Sequence, residues 1–186
     1  MSEATVRVLL LRGVNVGGSR TVPMAELRTA LEAAGHRHVR TLLQSGNAVL
    51  ATEPGPSDAV AAAVAVTLRE TFGFPTDLLV LDLAALREVV ARCPFPAREL
   101  DPTQLHVVFL DRPARDHPLA EADPGRFAPD ELRLGERELY VRYPHGSGRS
   151  RLARALSAPL PGGIATARNW RTVTRLLELA ESTPAA

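Results

Sequence analysis

Two short, largely apolar runs, Val6 to Leu11 and Leu105 to Leu110, each open a series of segments whose hydrophobic spacing changes in the same order. A switch between strand-like runs and helix-period segments limits a chain to few architectures. After the first run, Pro23 suits the first turn of a helix. Met24, Leu27, Ala30 and Leu31 then recur at helical spacing, and Gly35 suits a C-terminal cap. Val39 to Leu43 and Ala48 to Ala51 read as strands joined by the turn Ser45-Gly46-Asn47. Asp58 is placed to cap an alanine- and valine-rich helix to about Thr71, and Asp77 to Leu81 reads as a fourth strand. The order is βαββαβ.

Leu83 to Arg92 follows as a connecting helix stopped by Cys93-Pro94-Phe95-Pro96. The second series begins at Leu105 to Leu110. A short helix is expected over Pro118 to Asp123. A strand pair, Leu132 to Leu134 with Leu139 to Tyr143, crosses Gly135-Glu136-Arg137. Ser147 is expected to cap a helix to about Leu156, and Gly163 to Thr166 reads as a short strand. Trp170 to Glu181 is a final helix with Val173, Leu176, Leu177 and Ala180 on one face. The predicted class is therefore α+β, with two ferredoxin-like βαββαβ halves, a connecting helix and a C-terminal helix. The expected boundaries are 1–82, a linker over 83–103, and 104–186.

Composition narrows the chemistry. The 186 residues are 45% hydrophobic and 23% charged, enough to bury a core. The formal net charge of +1 gives no overall pull towards nucleic acid or an anionic membrane. All 22 basic residues are arginine. Without lysine there is no Schiff base, no pyridoxal phosphate anchor and no Walker A motif. Cys93 is the only cysteine, so no internal disulfide forms, which fits a reducing cytoplasm. No histidine lies near it in sequence, so it reads as a structural thiol. The longest apolar run, Ala59 to Val66, is too short for a bilayer, and the N-terminus lacks a signal-like apolar segment. The expected location is cytoplasmic, without membrane contact.

In the predicted plait, strands one and two run parallel with strand three between them. The end of strand one and the turn between strands two and three then share one sheet edge. Arg12, Asn15, Gly17, Gly18, Gln44, Ser45 and Asn47 should converge there. Arginine offers a planar donor fork and glycine exposes backbone N–H groups, a set suited to an anion. The alternative is that both asparagines serve turn geometry and Arg12 is merely solvated. A second cluster is Arg168, Asn169 and Trp170. Asn169 or Thr166 can cap the last helix, Trp170 suits packing between the halves, and Arg168 at a helix start favours an anionic partner or an acidic side chain. The glycines around His145 to Arg151 fit neither the dinucleotide fingerprint nor the P-loop. No cofactor motif is readable. The five histidines and their neighbours lack metal-ligand spacing, so no metal site is expected. Strands one and three carry no aromatic residue, against base stacking of the RNA-recognition kind.

Leu11-Arg12-Gly13-Val14-Asn15-Val16-Gly17-Gly18, then Met24 and Leu27, Leu43-Gln44-Ser45-Gly46-Asn47, and Thr166-Ala167-Arg168-Asn169-Trp170-Arg171-Thr172-Val173 together resemble the bacterial domain of unknown function 1697 family. The resemblance implies a small cytoplasmic bacterial protein of two ferredoxin-like halves, with no established activity. Ala167 stands where that family usually shows a second threonine. The functional expectation is binding of an anionic, phosphate-bearing small molecule. One alternative is a transferase or hydrolase using the same pocket, with Glu26 or Asp77 as the carboxylate. The other is a nucleic-acid or protein interaction through Arg149, Arg151 and Arg154.

Overall fold

The computed structural model describes residues 4–18 and 20–185. The chain divides into two compact units: unit 1 is Met1–Arg87 with Arg175–Ala186, and unit 2 is Glu88–Thr174. Each is built on one four-stranded antiparallel sheet.

In unit 1 the strands are β1 (Thr5–Leu11), β2 (Arg37–Leu42), β3 (Asn47–Thr52) and β4 (Leu78–Asp82), with helices α1 (Met24–Ala33) and α2 (Ser57–Phe72). The sheet order is β2-β3-β1-β4, the ferredoxin-like order read from the sequence. Leu9 and Leu11 of β1, Ala48 and Leu50 of β3, and Leu78 and Val80 of β4 point to one face. There they meet Met24, Leu27 and Leu31 of α1 and Val60, Val64 and Leu68 of α2. The alternate residues Val8, Leu10 and Val49 are also fully buried. Burial on both faces is why β1 reads as a nearly continuous apolar run.

β1 carries one exception, Arg7, which is 6% exposed. Its guanidinium donates to Ser57 Oγ at 3.1 Å and to the Gly55 carbonyl, and lies 3.6 Å from Asp82. It ties the loop before α2 to the sheet. That helix is entered from Pro56 without a side-chain cap; Asp58 lies within its first turn, where its charge favours the helix dipole, rather than at the cap.

Unit 2 repeats the plan with β5 (Leu105–Leu110), β6 (Glu131–Leu134), β7 (Glu138–Arg142) and β8 (Ala165–Asn169), in the order β6-β7-β5-β8. Here the first crossover differs from expectation. Pro118 to Asp123 is a run of turns, not a helix. Two short 3-10 segments flank it, Ala114–Asp116 and Pro124–Phe127. The prolines at 113, 118, 124 and 129 remove backbone donors that a continuous helix would need. The second crossover helix, α4 (Arg151–Ser157), is capped by Ser150 and not by Ser147. Ser150 Oγ accepts from the Ala153 N–H at 2.8 Å and donates to Asp130 at 2.7 Å.

The halves also end alike. The last strand of each plait runs directly into a helix, α3 (Leu83–Ala91) after β4 and α5 (Trp170–Glu181) after β8. Asp82 accepts from Ala85 N–H at 2.7 Å, and Asn169 accepts from Thr172 N–H at 2.9 Å. Each is a residue-to-third-amide cap. The expected strand over Gly163 to Thr166 lies two residues later, which puts Arg168 and Asn169 in β8. Among the described residues, no helix is long and apolar enough to cross a membrane.

Three histidines are buried enough for desolvation to pull their pKa values down: His36, His106 and His117. Among the described residues His106 Nδ1 is buried without a hydrogen-bond partner, and the ring meets Tyr143 edge to face at 5.1 Å. His117 Nδ1 accepts from Leu119 N–H at 3.1 Å, a bond that only the unprotonated nitrogen can make. A depressed folded pKa means the unfolded chain binds the proton first. Stability is therefore full above the unfolded value of about 6.5 and is lost as pH falls through the folded values. We expect the urea midpoint to drop between pH 7.5 and pH 5.5, with a smaller drop in His106→Phe. Equal midpoints at the two pH values would contradict this.

Candidate functional site

In unit 1 the turn after β1 is joined to the turn between β2 and β3. β1 ends at Leu11, whose N–H donates to the Gly46 carbonyl at 2.8 Å. The next N–H, from Arg12, donates to Asp77 O at 2.8 Å. The chain then turns through Gly13 and Asn15, both with positive φ, at 66° and 56°. Asparagine tolerates this conformation because its short amide can bond locally. Its side chain is the clasp of the site. Asn15 Nδ2 donates to Val22 O at 2.9 Å and to Gln44 O at 2.6 Å, while Oδ1 accepts from Val22 N–H at 2.9 Å. One amide thus closes its own loop and fastens it to the β2–β3 turn.

Asn47 is fully buried and donates to Leu42 O and Ser45 Oγ, both at 2.9 Å. Both asparagines therefore hold the turns rather than face outward. Turn geometry is the role the sequence offered these two asparagines as an alternative; Asn47 is buried by it, while Asn15 stays half-buried. What the clasp presents to solvent is different: Val16, Gly17 and Gly18 on one loop, and Leu43, Gln44 and Ser45 on the other, all exposed. Gly17 and Gly18 have φ of 69° and 82°, with open space where a side chain would begin. Leu43 holds a left-handed φ of 59° while 52% exposed. A bulky residue in that conformation is strained, and such strain gathers at functional sites.

Arg12 stands at the root of this surface. Its guanidinium lies 3.6 Å from Asp77, with side chains 29% and 57% exposed respectively. That separation exceeds hydrogen-bond length, and a pair this exposed contributes about 0–1 kcal/mol. The pair orients Arg12 without committing its donors. Glu26 falls in the first turn of α1 and forms no ion pair among the described residues.

The second predicted group lies in unit 2. Arg168 is 7% exposed and donates to Thr166 Oγ1 at 2.7 Å and to Ala167 O at 2.8 Å. Burial lowers its pKa to about 10, which still leaves it charged at neutral pH. Asn169 caps α5, as expected, and Trp170 begins that helix at 7% exposure. Arg168 thus belongs to β8, two residues before α5 begins, and is buried. Arg151 and Arg154 are exposed on α4, with Arg149 just before it. Sequence reasoning missed Arg7, whose signal was a charge inside an apolar run, and Glu138, 6% exposed and accepting from Tyr140 Oη at 3.0 Å. Among the described residues, no three histidine, cysteine, aspartate or glutamate side chains come together as a metal site.

Two linked ferredoxin-like sheets with a clasped arginine–glycine loop define the class. The family described as Protein of unknown function (DUF1697) matches residues 4–140, and the chain belongs to it. That match takes in the Arg12–Gly18 and Gln44–Asn47 turns and ends before Arg168. A solved structure of a conserved bacterial protein from Streptococcus pneumoniae is similar in fold, with a TM-score of 0.77. The two are 20% identical, and the alignment covers 96% of this chain and 99% of that one. No curated protein matches the chain.

Proposed function

We propose that unit 1 binds a small phosphate-bearing anion on the surface formed by Arg12, Gly17 and Gly18 together with Gln44 and Ser45. The observation that carries this reading is the clasp: Asn15 bonds to Gln44 O and joins the two exposed turns, the first of which follows Arg12 directly along the chain. Preorganised backbone N–H groups beside a guanidinium suit phosphate oxygens, since the fork can bind two of them at once. The Asp77 carboxylate competes for that fork. Removing its charge should therefore tighten binding, whereas removing Arg12 should weaken it.

The test is an amide-resolved NMR titration with inorganic phosphate and then a nucleoside monophosphate. Shifts are expected to concentrate at Arg12, Val16, Gly17 and Gly18. Arg12→Ala is expected to weaken binding roughly 10-fold, the loss of one charge-assisted hydrogen bond of about 1.5 kcal/mol. Asp77→Asn is expected to strengthen it several-fold. No shift at these amides in tens of millimolar phosphate would reject the reading. The enzymatic alternative needs a carboxylate beside Arg12, which Asp77 is. Turnover of a phosphate monoester by the wild type, absent in Asp77→Asn, would favour it.

A further inference from the structure

We propose that the N-terminus of α2, backed by the buried Arg7, is a second anion site of unit 1 and takes a singly charged carboxylate. It is separate from the surface around Arg12. Arg7 lies in β1 and Arg12 directly follows that strand, so five residues of extended chain hold them roughly 16 Å apart.

The sixteen residues of α2 carry a full helix dipole, and its first turn is left open. Pro56 has no N–H and supplies no side-chain cap. Ala59 and Val60 both donate to the Pro56 carbonyl, at 3.1 and 3.2 Å. The N–H groups of Ser57 and Asp58 have no partner among the described residues. The Ser57 hydroxyl accepts from Arg7 Nη1 at 3.1 Å, and its own hydrogen has no acceptor among the described residues. Two neighbouring N–H groups and one O–H thus offer donors at one helix end.

Arg7 is the independent observation. Its side chain is 7% exposed and its guanidinium ends against Ser57, the first residue of α2. Its Nε is buried without a hydrogen-bond partner among the described residues. The Gly55 carbonyl that takes another of its N–H groups is neutral. Its ion-pair partner, Asp82, stands at 3.6 Å, beyond hydrogen-bond length, and Asp82 Oδ1 is held by Ala85 N–H at 2.7 Å. A buried charge matched this loosely is stabilised by a closer counter-ion. The start of α2, where the dipole also favours negative charge, is where the guanidinium meets that helix. Asp58, exposed in the first turn, and Asp82 add negative charge beside the site, which disfavours a dianion such as phosphate. A carboxylate brings one charge and two oxygens, enough for the paired N–H groups and the hydroxyl.

The experiment is an amide-resolved NMR titration of the full chain with acetate, inorganic phosphate and acetamide. Acetate is expected to shift the amides of Ser57, Asp58 and Ala59 and the Arg7 Nε–H saturably. It should bind there roughly 10-fold more tightly than phosphate, with no response to neutral acetamide, because the contacts are charge-assisted. Ser57→Pro should abolish the acetate response. It removes the N–H and the hydroxyl together at a first helical position that suits proline, and Pro56 already has the ψ of 129–140° class needed before one, at 140°. Asp58→Asn should tighten acetate several-fold. Arg7→Gln should weaken it at least 5-fold; if that variant unfolds, Ser57→Pro and Asp58→Asn still decide. No saturable shift at 57–59, a preference for phosphate, an equal response to acetamide, or an acetate response that survives Ser57→Pro would overturn the proposal. Arg12→Ala should leave acetate binding unchanged, and its loss in that variant would assign the effect to the other surface. Phosphate shifts at Gly17 and Gly18 report on that surface alone, so either site can fail without the other.

Discussion

Gly46→Ala is expected to destabilise unit 1 by about 2–4 kcal/mol, the sum of an overpacked contact and a left-handed backbone. Gly46 has φ of 76°, and a Cβ there would stand 2.6 Å from Val14 Cγ2 and 2.7 Å from Leu11 Cβ. Neither neighbour can yield easily. The Leu11 atom is the first of its side chain, on a strand whose residues are buried, and Val14 is 2% exposed. The same glycine supplies the carbonyl that receives Leu11 N–H at 2.8 Å, so displacement of the turn also breaks this bond. The check is urea unfolding of wild type and variant. A midpoint shift equivalent to less than about 0.5 kcal/mol, the range of an ordinary surface change, would show that the turn moves away freely. Gly17→Ala provides the contrast. It has a positive φ but open space, so only the backbone cost of about 1–2 kcal/mol is expected.

Asn15→Ala is expected to cost about 2–4 kcal/mol, because three hydrogen bonds of about 1 kcal/mol each are lost and alanine takes a left-handed φ poorly. Asn15→Gly separates the two causes. Glycine keeps the backbone at φ 56° without strain, so it should recover about 1 kcal/mol and leave the hydrogen-bond loss. The functional consequence follows from the same geometry. Without the clasp to Gln44 O, the loop of 13–18 is released from the β2–β3 turn, and hydrogen exchange at Gly17 and Gly18 should accelerate together with that at Gln44. If both variants unfold at the wild-type midpoint, the clasp is not what joins the turns.

These two residues show how much was legible beforehand. The positions of Arg12, Asn15 and Gln44 at one sheet edge followed from element order, because a βαββαβ chain pairs its third strand between the first and second. Their roles did not. An asparagine amide can face a ligand or a carbonyl with equal chemical ease, and only the location of Val22 O and Gln44 O decides which. Arg168 does lie two residues before α5, as the sequence placed it, but inside a strand, because β8 runs on to Asn169 instead of ending at Thr166. The turns over Pro118 to Asp123 looked like a helix because so short a stretch fits either period; prolines at 118 and 124 bound it too tightly for a helix to extend.

The amino-acid order alone determined the alternation of strands and helices, the doubling of the plait, and the absence of lysine-dependent chemistry, since hydrophobic period and residue type are local properties. Which polar side chains turn inward and where Asp77 meets Arg12 were decided only in three dimensions. Those outcomes depend on partners far apart along the chain, and a hydrogen bond exists only once both of its sides have been brought together.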